Sequence, residues 1–141
     1  MIRTADAVWN GDLQSGAGTM KTGSGALDGP FSFKSRMQDG TGTNPEELIG
    51  AAHAGCFSMQ FSAMLAHAGF PPERVHTAAK VHFGPVDGGF AIDKIELTTE
   101  GVVPGIDDAK FQELAAGAKA NCPVSKALAA TPITLSAKLL S

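Results

Sequence analysis

Apolar residues lie on almost every side of the segment from Pro45 to about His67 when it is arranged as a helix. Asn44 suits the N-cap position, Pro45 the first helical position, and Glu47 the third, where it completes a capping box with Asn44. Gly69 and the prolines after it end the pattern. Because helices that are apolar all round belong in protein interiors, we predict one long buried helix of about 23 residues, or ~35 Å.

Strand patterns surround this helix. Short apolar stretches broken by glycines over residues 7–29 predict a meander with tight turns. Residues 31–36 alternate in polarity and predict a strand that ends at Arg36. After the helix, residues 77–83 and 90–100 predict an antiparallel hairpin.

The C-terminal third of the chain predicts two helices and a final strand. Acidic residues open a helical segment over residues 107–119, residues 123–130 form a shorter one, and residues 133–139 alternate strictly. We therefore expect an α+β fold with antiparallel sheets around a long central helix, in a single domain of residues 1–141.

Composition narrows the function classes. The chain has 43% apolar and 18% charged residues, which is typical of a globular protein, and its net charge is −3. Lysines and arginines are scattered, which disfavours a nucleic-acid partner. We find neither a signal-peptide pattern nor an uninterrupted apolar run of about 18 residues, so we expect a cytoplasmic protein without a membrane partner.

The candidate chemistry rests on two cysteines, Cys56 and Cys122. In a cytoplasmic protein such a pair favours a redox cycle over a structural disulfide. Cys122 precedes Pro123 near a helix start, where backbone N–H groups lower a thiol pKa and suit a resolving role. The alternative is that both cysteines are small buried core residues.

A nucleophilic Cys56 needs a cation, because it lies too far inside its helix to benefit from the helix dipole. Lowering its pKa from about 8.5 to about 6 requires about 3.4 kcal/mol, which one nearby guanidinium supplies. Arg36 is the best candidate, and a carboxylate would orient it. Glu46 is preferred over Glu47 for that task, since the capping box already explains Glu47; a plain helix-start acid remains the alternative for Glu46.

Other sites receive less support. His53 with Cys122 and Glu46 suggests a metal site, but no second short-spaced ligand pair accompanies it, so we predict no metal. Near the thiol lie Phe57, Met59, Phe61 and Met64, which could line an apolar substrate pocket. Met and Phe at helical spacing are typical of a core, so we predict that they are core residues. No glycine motif for a dinucleotide is complete, so no cofactor is expected.

Four segments together resemble the osmotically inducible protein C (OsmC) family. Residues 42–59, which read Gly-Thr-Asn-Pro-Glu-Glu-Leu-Ile-Gly-Ala-Ala-His-Ala-Gly-Cys-Phe-Ser-Met, carry most of the likeness, and residues 103–106, 120–125 and 9–12 add to it. The resemblance implies an α+β fold in which two protomers intertwine as a homodimer, with active sites at the subunit interface.

The same resemblance implies a peroxidase that reduces organic hydroperoxides, and hydrogen peroxide less well. Cys56 matches the attacking cysteine and Cys122 the resolving one, while Arg36 and Glu46 match the family's arginine and glutamate. A dithiol of the lipoyl type would reset the disulfide, and no flavin, haem or metal is implied. The competing interpretation is a thiol redox sensor or a small-ligand binding module, which would oxidise once without turnover.

Overall fold

The computed structural model describes all 141 residues, and its secondary structure is mixed α+β, as predicted. The elements are β1 (Ala5–Asn10), β2 (Ala17–Thr22), β3 (Asp28–Ser32), α1 (Phe33–Met37), α2 (Pro45–His67), β4 (Arg74–Val86), β5 (Gly89–Val102), α3 (Asp108–Asn121), α4 (Pro123–Ala127) and β6 (Ile133–Leu139). The chain divides into two compact units, Met1–Leu48 and Ile49–Ser141. One domain over residues 1–141 stays a prediction.

The N-terminal unit contains an antiparallel sheet in the order β1-β2-β3. The predicted strand over residues 31–36 is wrong beyond Ser32, because the chain turns there into the short helix α1. Ser32 accepts a hydrogen bond from the Ser35 backbone N–H, and the Ser35 hydroxyl accepts one from the Ser32 N–H. This capping box supplies partners for a helix start, and it outweighs the alternating polarity.

Hydrogen bonds return the chain from α1 to the start of α2. The buried Ser35 hydroxyl donates to the Thr43 carbonyl at 2.7 Å, and the Asn44 side-chain amide donates to the Ser35 carbonyl at 3.1 Å. Asn44 also caps α2, since its Oδ1 accepts the Glu47 N–H at 2.8 Å. The predicted capping box is only half present, because the Glu47 carboxylate accepts from the Thr43 hydroxyl instead.

The C-terminal unit contains a second sheet in the order β4-β5-β6. The predicted hairpin of β4 and β5 is confirmed and antiparallel, but β6 pairs with β5 in parallel. The prediction of purely antiparallel sheets is therefore wrong. The strands β5 and β6 are parallel because of the connection between them. Helices α3 and α4 carry the chain back along the sheet before β6 begins, and a crossover of this length permits parallel pairing.

Helix α2 has the predicted bounds, but only one of its faces is buried within the chain. Phe57, Phe61 and Leu65 have no exposed surface, and Phe61 packs against Phe111 of α3 with ring centroids 5.1 Å apart. Met59, in contrast, is 76% exposed. The prediction of a fully buried helix is thus wrong for one chain, because the packed layers of this unit cover a single side of it.

By length and hydropathy α2 meets the criteria for a membrane span. Core helices of soluble proteins meet the same criteria, so this property is weak evidence about location.

Candidate active site

The two cysteines meet inside the C-terminal unit. Cys56 projects from α2, and Cys122 is the single residue between the end of α3 and the start of α4. Their Sγ atoms lie 3.1 Å apart with both thiols reduced, although 66 positions separate them in the chain. Cys122 has no exposed surface, whereas Cys56 is only partly buried. The pair is therefore placed for disulfide formation with little movement of the backbone.

The surroundings of the two thiols push their acidities apart. Burial raises the pKa of Cys122, but its hydrogen bonds with the Ser125 backbone, the Cys56 thiol and the Ser125 hydroxyl outweigh burial, so this pKa is lowered. The pKa of Cys56 is raised, first by burial and then by its hydrogen bond with Cys122. Backbone N–H groups at the start of α4 contribute to the lowered pKa of Cys122, in the direction that its position before Pro123 predicted.

Arg36 and Glu46 form an ion pair in the N-terminal unit. Nε and Nη2 of Arg36 donate to Oε1 of Glu46 at 3.0 and 2.8 Å. Glu46 is only 7% exposed, and the side chain of Arg36 is 36% exposed. Two donors of the guanidinium on one carboxylate oxygen restrict both the orientation and the position of the guanidinium. Helix α1, the Ser35 hydrogen bonds and the capped start of α2 bring the two residues together.

An apolar cavity of about 230 Å³ lies beside Arg36 in the same unit. Its walls include Trp9 and Phe31, whose ring centroids are 5.1 Å apart, together with Phe33 and Met37. Arg36 is the one charged residue of the lining. This combination suits a molecule with an apolar body and a polar end.

The four predicted site residues therefore occur as two contacting pairs, the thiols in one unit and the ion pair in the other. The approach of Arg36 to Cys56 stays a prediction. Phe57, which we weighed as a pocket residue, belongs to the core, and the apolar cavity is built by other aromatic residues that our sequence reasoning missed. Its signal in the sequence was an aromatic residue on each of the two outer strands of the sheet, Trp9 on β1 and Phe31 on β3, which lie on either side of Gly18 of β2.

Sequence reasoning also missed the contact of His53 with Ser125, whose Nε2 and Oγ atoms are 2.7 Å apart. We had weighed His53 only as a metal ligand. The available signal was position, since His53 lies one helical turn before Cys56 and Ser125 three residues after Cys122.

Comparison with known proteins settles the family. The family model described as OsmC-like protein matches residues 38–138. The chain belongs to the OsmC-like family. This OsmC-like chain is 51% identical over 140 residues to Peroxiredoxin OsmC of Escherichia coli strain K12, a match that covers 99% of the chain and 97% of that protein.

More distant relatives carry another name. The OsmC-like chain is 37% identical over 105 residues to the organic hydroperoxide resistance protein of Xanthomonas axonopodis pv. citri, with 72% of each covered. Among solved structures, the organic hydroperoxide resistance protein OhrB of Bacillus subtilis superposes with a TM-score of 0.73 and 27% identity, covering 96% of this chain and 97% of that one.

Proposed function

We propose that this OsmC-like protein is a thiol-dependent peroxidase that reduces organic hydroperoxides, and hydrogen peroxide less well. The observation that carries the proposal is the reduced Cys56–Cys122 pair, whose sulfur atoms are 3.1 Å apart. The names of the relatives, peroxiredoxin and organic hydroperoxide resistance protein, support the same reaction class.

Cys56 is the nucleophile in this proposal, because a peroxide must reach the attacking sulfur and Cys122 has no exposed surface. Reactive cysteines attack as thiolates, yet the pKa of Cys56 is raised by burial and by Cys122. A cation must therefore act on Cys56 during catalysis. Arg36, oriented by Glu46, takes this role.

The Cys56 thiolate attacks the distal oxygen of the hydroperoxide, and the O–O bond breaks. An alcohol leaves after it takes up a proton, and Cys56 becomes a sulfenic acid. Cys122 then attacks this sulfur, forming the disulfide and releasing water. A dithiol reductant, of which a lipoyl group is our candidate, restores both thiols by exchange. We place this cycle in the cytoplasm, where thiol reductants are abundant.

The cavity beside Arg36 supports the proposed preference for organic hydroperoxides. Its aromatic lining would gain free energy by removing an alkyl or aryl group from water, while the guanidinium would bind the peroxide oxygens. Hydrogen peroxide has no apolar group that could pack against the walls of the cavity. We therefore expect a lower KM for cumene hydroperoxide than for hydrogen peroxide.

The test is steady-state peroxide consumption by the reduced protein under excess dithiol, with cumene hydroperoxide and hydrogen peroxide compared. Many turnovers per chain, with a higher kcat/KM for cumene hydroperoxide, are expected. Consumption of a single equivalent followed by arrest, with both thiols reduced beforehand, would contradict the proposal and favour a redox sensor or a binding module.

We further propose that two chains associate through the exposed face of α2. Ala51, Gly55, Met59 and Ala63 recur at four-residue intervals on this face, and Gly55 has open space where a Cβ would lie. Small residues allow two helices to approach closely, and a twofold pair would cover the same apolar stripe on both copies.

We expect Met59→Asp to convert the dimer to a monomer, because it would bury an unpaired carboxylate at the centre of the contact. Sedimentation equilibrium measures the mass directly, and Met59→Leu, which keeps the apolar volume, is the control. A wild-type mass of one chain across the micromolar range would exclude this interface.

A further inference from the structure

A buried histidine and serine adjoin Cys122 of the thiol pair. His53 lies on the buried face of α2 with no exposed surface, and Ser125 of α4 is 6% exposed. His53 Nε2 and Ser125 Oγ are 2.7 Å apart. The Ser125 hydroxyl also hydrogen-bonds the sulfur of Cys122. These contacts join an imidazole, a hydroxyl and the thiol of Cys122 in one continuous chain.

His53 has features that a purely packed residue would lack. Its Nδ1 atom is buried without a hydrogen-bond partner. Burial disfavours the charged ring and lowers the pKa of His53, so the resting imidazole is neutral and one of its nitrogens carries a free lone pair. A buried ring nitrogen without a hydrogen bond lowers the stability of the fold. His53 occupies this buried position despite that cost, and its Nε2 atom hydrogen-bonds with Ser125 Oγ.

Resting on the proposed peroxidase function, we propose that Ser125 and His53 form a proton relay that activates Cys122 for the resolving step. Ser125 contacts the reacting sulfur, and His53 is a positioning residue that acts through Ser125. Neither residue is needed for the attack of Cys56 on peroxide.

The relay follows from hydrogen-bond valences. A serine hydroxyl has one proton to donate and two lone pairs. In the resting pair the Cys122 thiol donates to Cys56 Sγ at 3.1 Å. Once Cys56 is oxidised, the relay has the Cys122 thiol donate to Ser125 Oγ, and Ser125 donate to Nε2 of His53. As Cys122 approaches the sulfenic sulfur, its proton passes to Oγ and the serine proton passes to Nε2. The hydroxyl then donates to the thiolate, and the protonated Nε2 donates to the hydroxyl.

Atoms and charges balance over the step. The Cys122 thiolate attacks the sulfur of the Cys56 sulfenic acid, the S–S bond forms, and the S–O bond breaks. The departing hydroxide takes one proton from solvent, and His53 returns one proton to solvent, so the products are the disulfide and one water molecule. No additional oxidant or reductant takes part.

A route to solvent is available on the outer side of Ser125. This residue also lines an open groove of about 590 Å³, which polar side chains such as Gln112, Lys119 and Thr131 share. The proton that His53 accepts can therefore leave through the Ser125 hydroxyl to this groove.

The test separates the two chemical steps in single-turnover reactions of the reduced, full-length protein with cumene hydroperoxide. Peroxide loss, which depends on peroxide concentration, reports the attack by Cys56. Samples quenched with dimedone and analysed by mass spectrometry give the ratio of trapped sulfenic acid to disulfide, which reports the resolving step.

We expect Ser125→Ala to slow disulfide formation by about tenfold or more while peroxide loss stays within about twofold of wild type. Ser125→Thr, which keeps the hydroxyl, should restore the rate. His53→Gln keeps an amide that can hydrogen-bond Ser125 but accepts no proton, so it should slow the same step. Thermal unfolding shows whether each variant is folded.

A second readout is independent of peroxide chemistry. In the Cys56→Ser background, the ultraviolet absorbance of the Cys122 thiolate, followed as the pH is varied, gives the pKa of Cys122 directly. Adding Ser125→Ala should raise that pKa by about one unit or more. If wild type shows no peroxidase turnover but this pKa rises, the proposed function fails while the hydrogen-bond relay stands. Equal disulfide rates in folded wild type, Ser125→Ala and His53→Gln would overturn the relay.

Discussion

Replacing Cys56 with serine is expected to reduce peroxide turnover to the uncatalysed rate. The serine hydroxyl remains protonated near neutral pH and is a far poorer nucleophile than a thiolate, so no sulfenic acid forms. Because enzymes accelerate their reactions by about 10⁶-fold or more, the loss should exceed the range of a steady-state assay. The measurement is consumption of cumene hydroperoxide under excess dithiol.

Cys122→Ser is the matched control, since it removes the other thiol of the same pair. This variant should still consume one equivalent of peroxide in a single turnover and accumulate the Cys56 sulfenic acid, which dimedone traps. If Cys56→Ser consumed that equivalent and Cys122→Ser did not, the roles of the two thiols would be reversed.

Arg36→Met is expected to lower kcat/KM for cumene hydroperoxide by about a hundredfold at neutral pH. One charge at about 4 Å is worth ~4 kcal/mol at an effective dielectric constant of about 20, and partial exposure of the arginine reduces that value. Its loss leaves the pKa of Cys56 raised by burial, so less thiolate is present at pH 7. Activity of the variant should recover as the pH increases.

Lys34→Met provides the control, because Lys34 is an exposed cation on the same short helix. It should change kcat/KM by less than about threefold, as expected for an exposed charge. Glu46→Gln should fall between the two, since it keeps Arg36 but removes the charge that orients the guanidinium. Equal pH profiles for wild type and Arg36→Met would show that Arg36 does not stabilise the thiolate.

Local sequence signals predicted the long helix and the β4–β5 hairpin well. Asn44, Pro45 and the glycine after His67 marked both ends of α2, because capping and helix termination depend on residues close in sequence. Alternation failed for residues 33–37, where two serines form a capping box. Both signals involve residues close in sequence, so the capping box of Ser32 and Ser35 could also have predicted α1 from the sequence.

Contacts between residues that are distant in the sequence were harder to predict. Nothing in the alternating pattern of residues 133–139 distinguishes a parallel from an antiparallel neighbour, because the direction of β6 depends on the path of α3 and α4. Likewise, the composition of α2 predicts burial on every side, but which face one chain covers depends on packing over the whole unit. The link from His53 to Ser125 spans 72 positions and lies beyond any local motif.

A disulfide between Cys56 and Cys122, which are 66 positions apart, would link the redox state of the protein to its stability against unfolding. A cross-link of that span reduces the entropy of the unfolded chain by an amount worth about 4 kcal/mol. By a thermodynamic cycle, folding must favour the disulfide over the dithiol by the same amount. The reduction potential of the disulfide is then lower by about 90 mV in the folded chain than in the unfolded chain. The disulfide form, which cannot attack peroxide, is therefore more stable against unfolding than the dithiol form. The reductant must supply the free energy by which folding favours the disulfide.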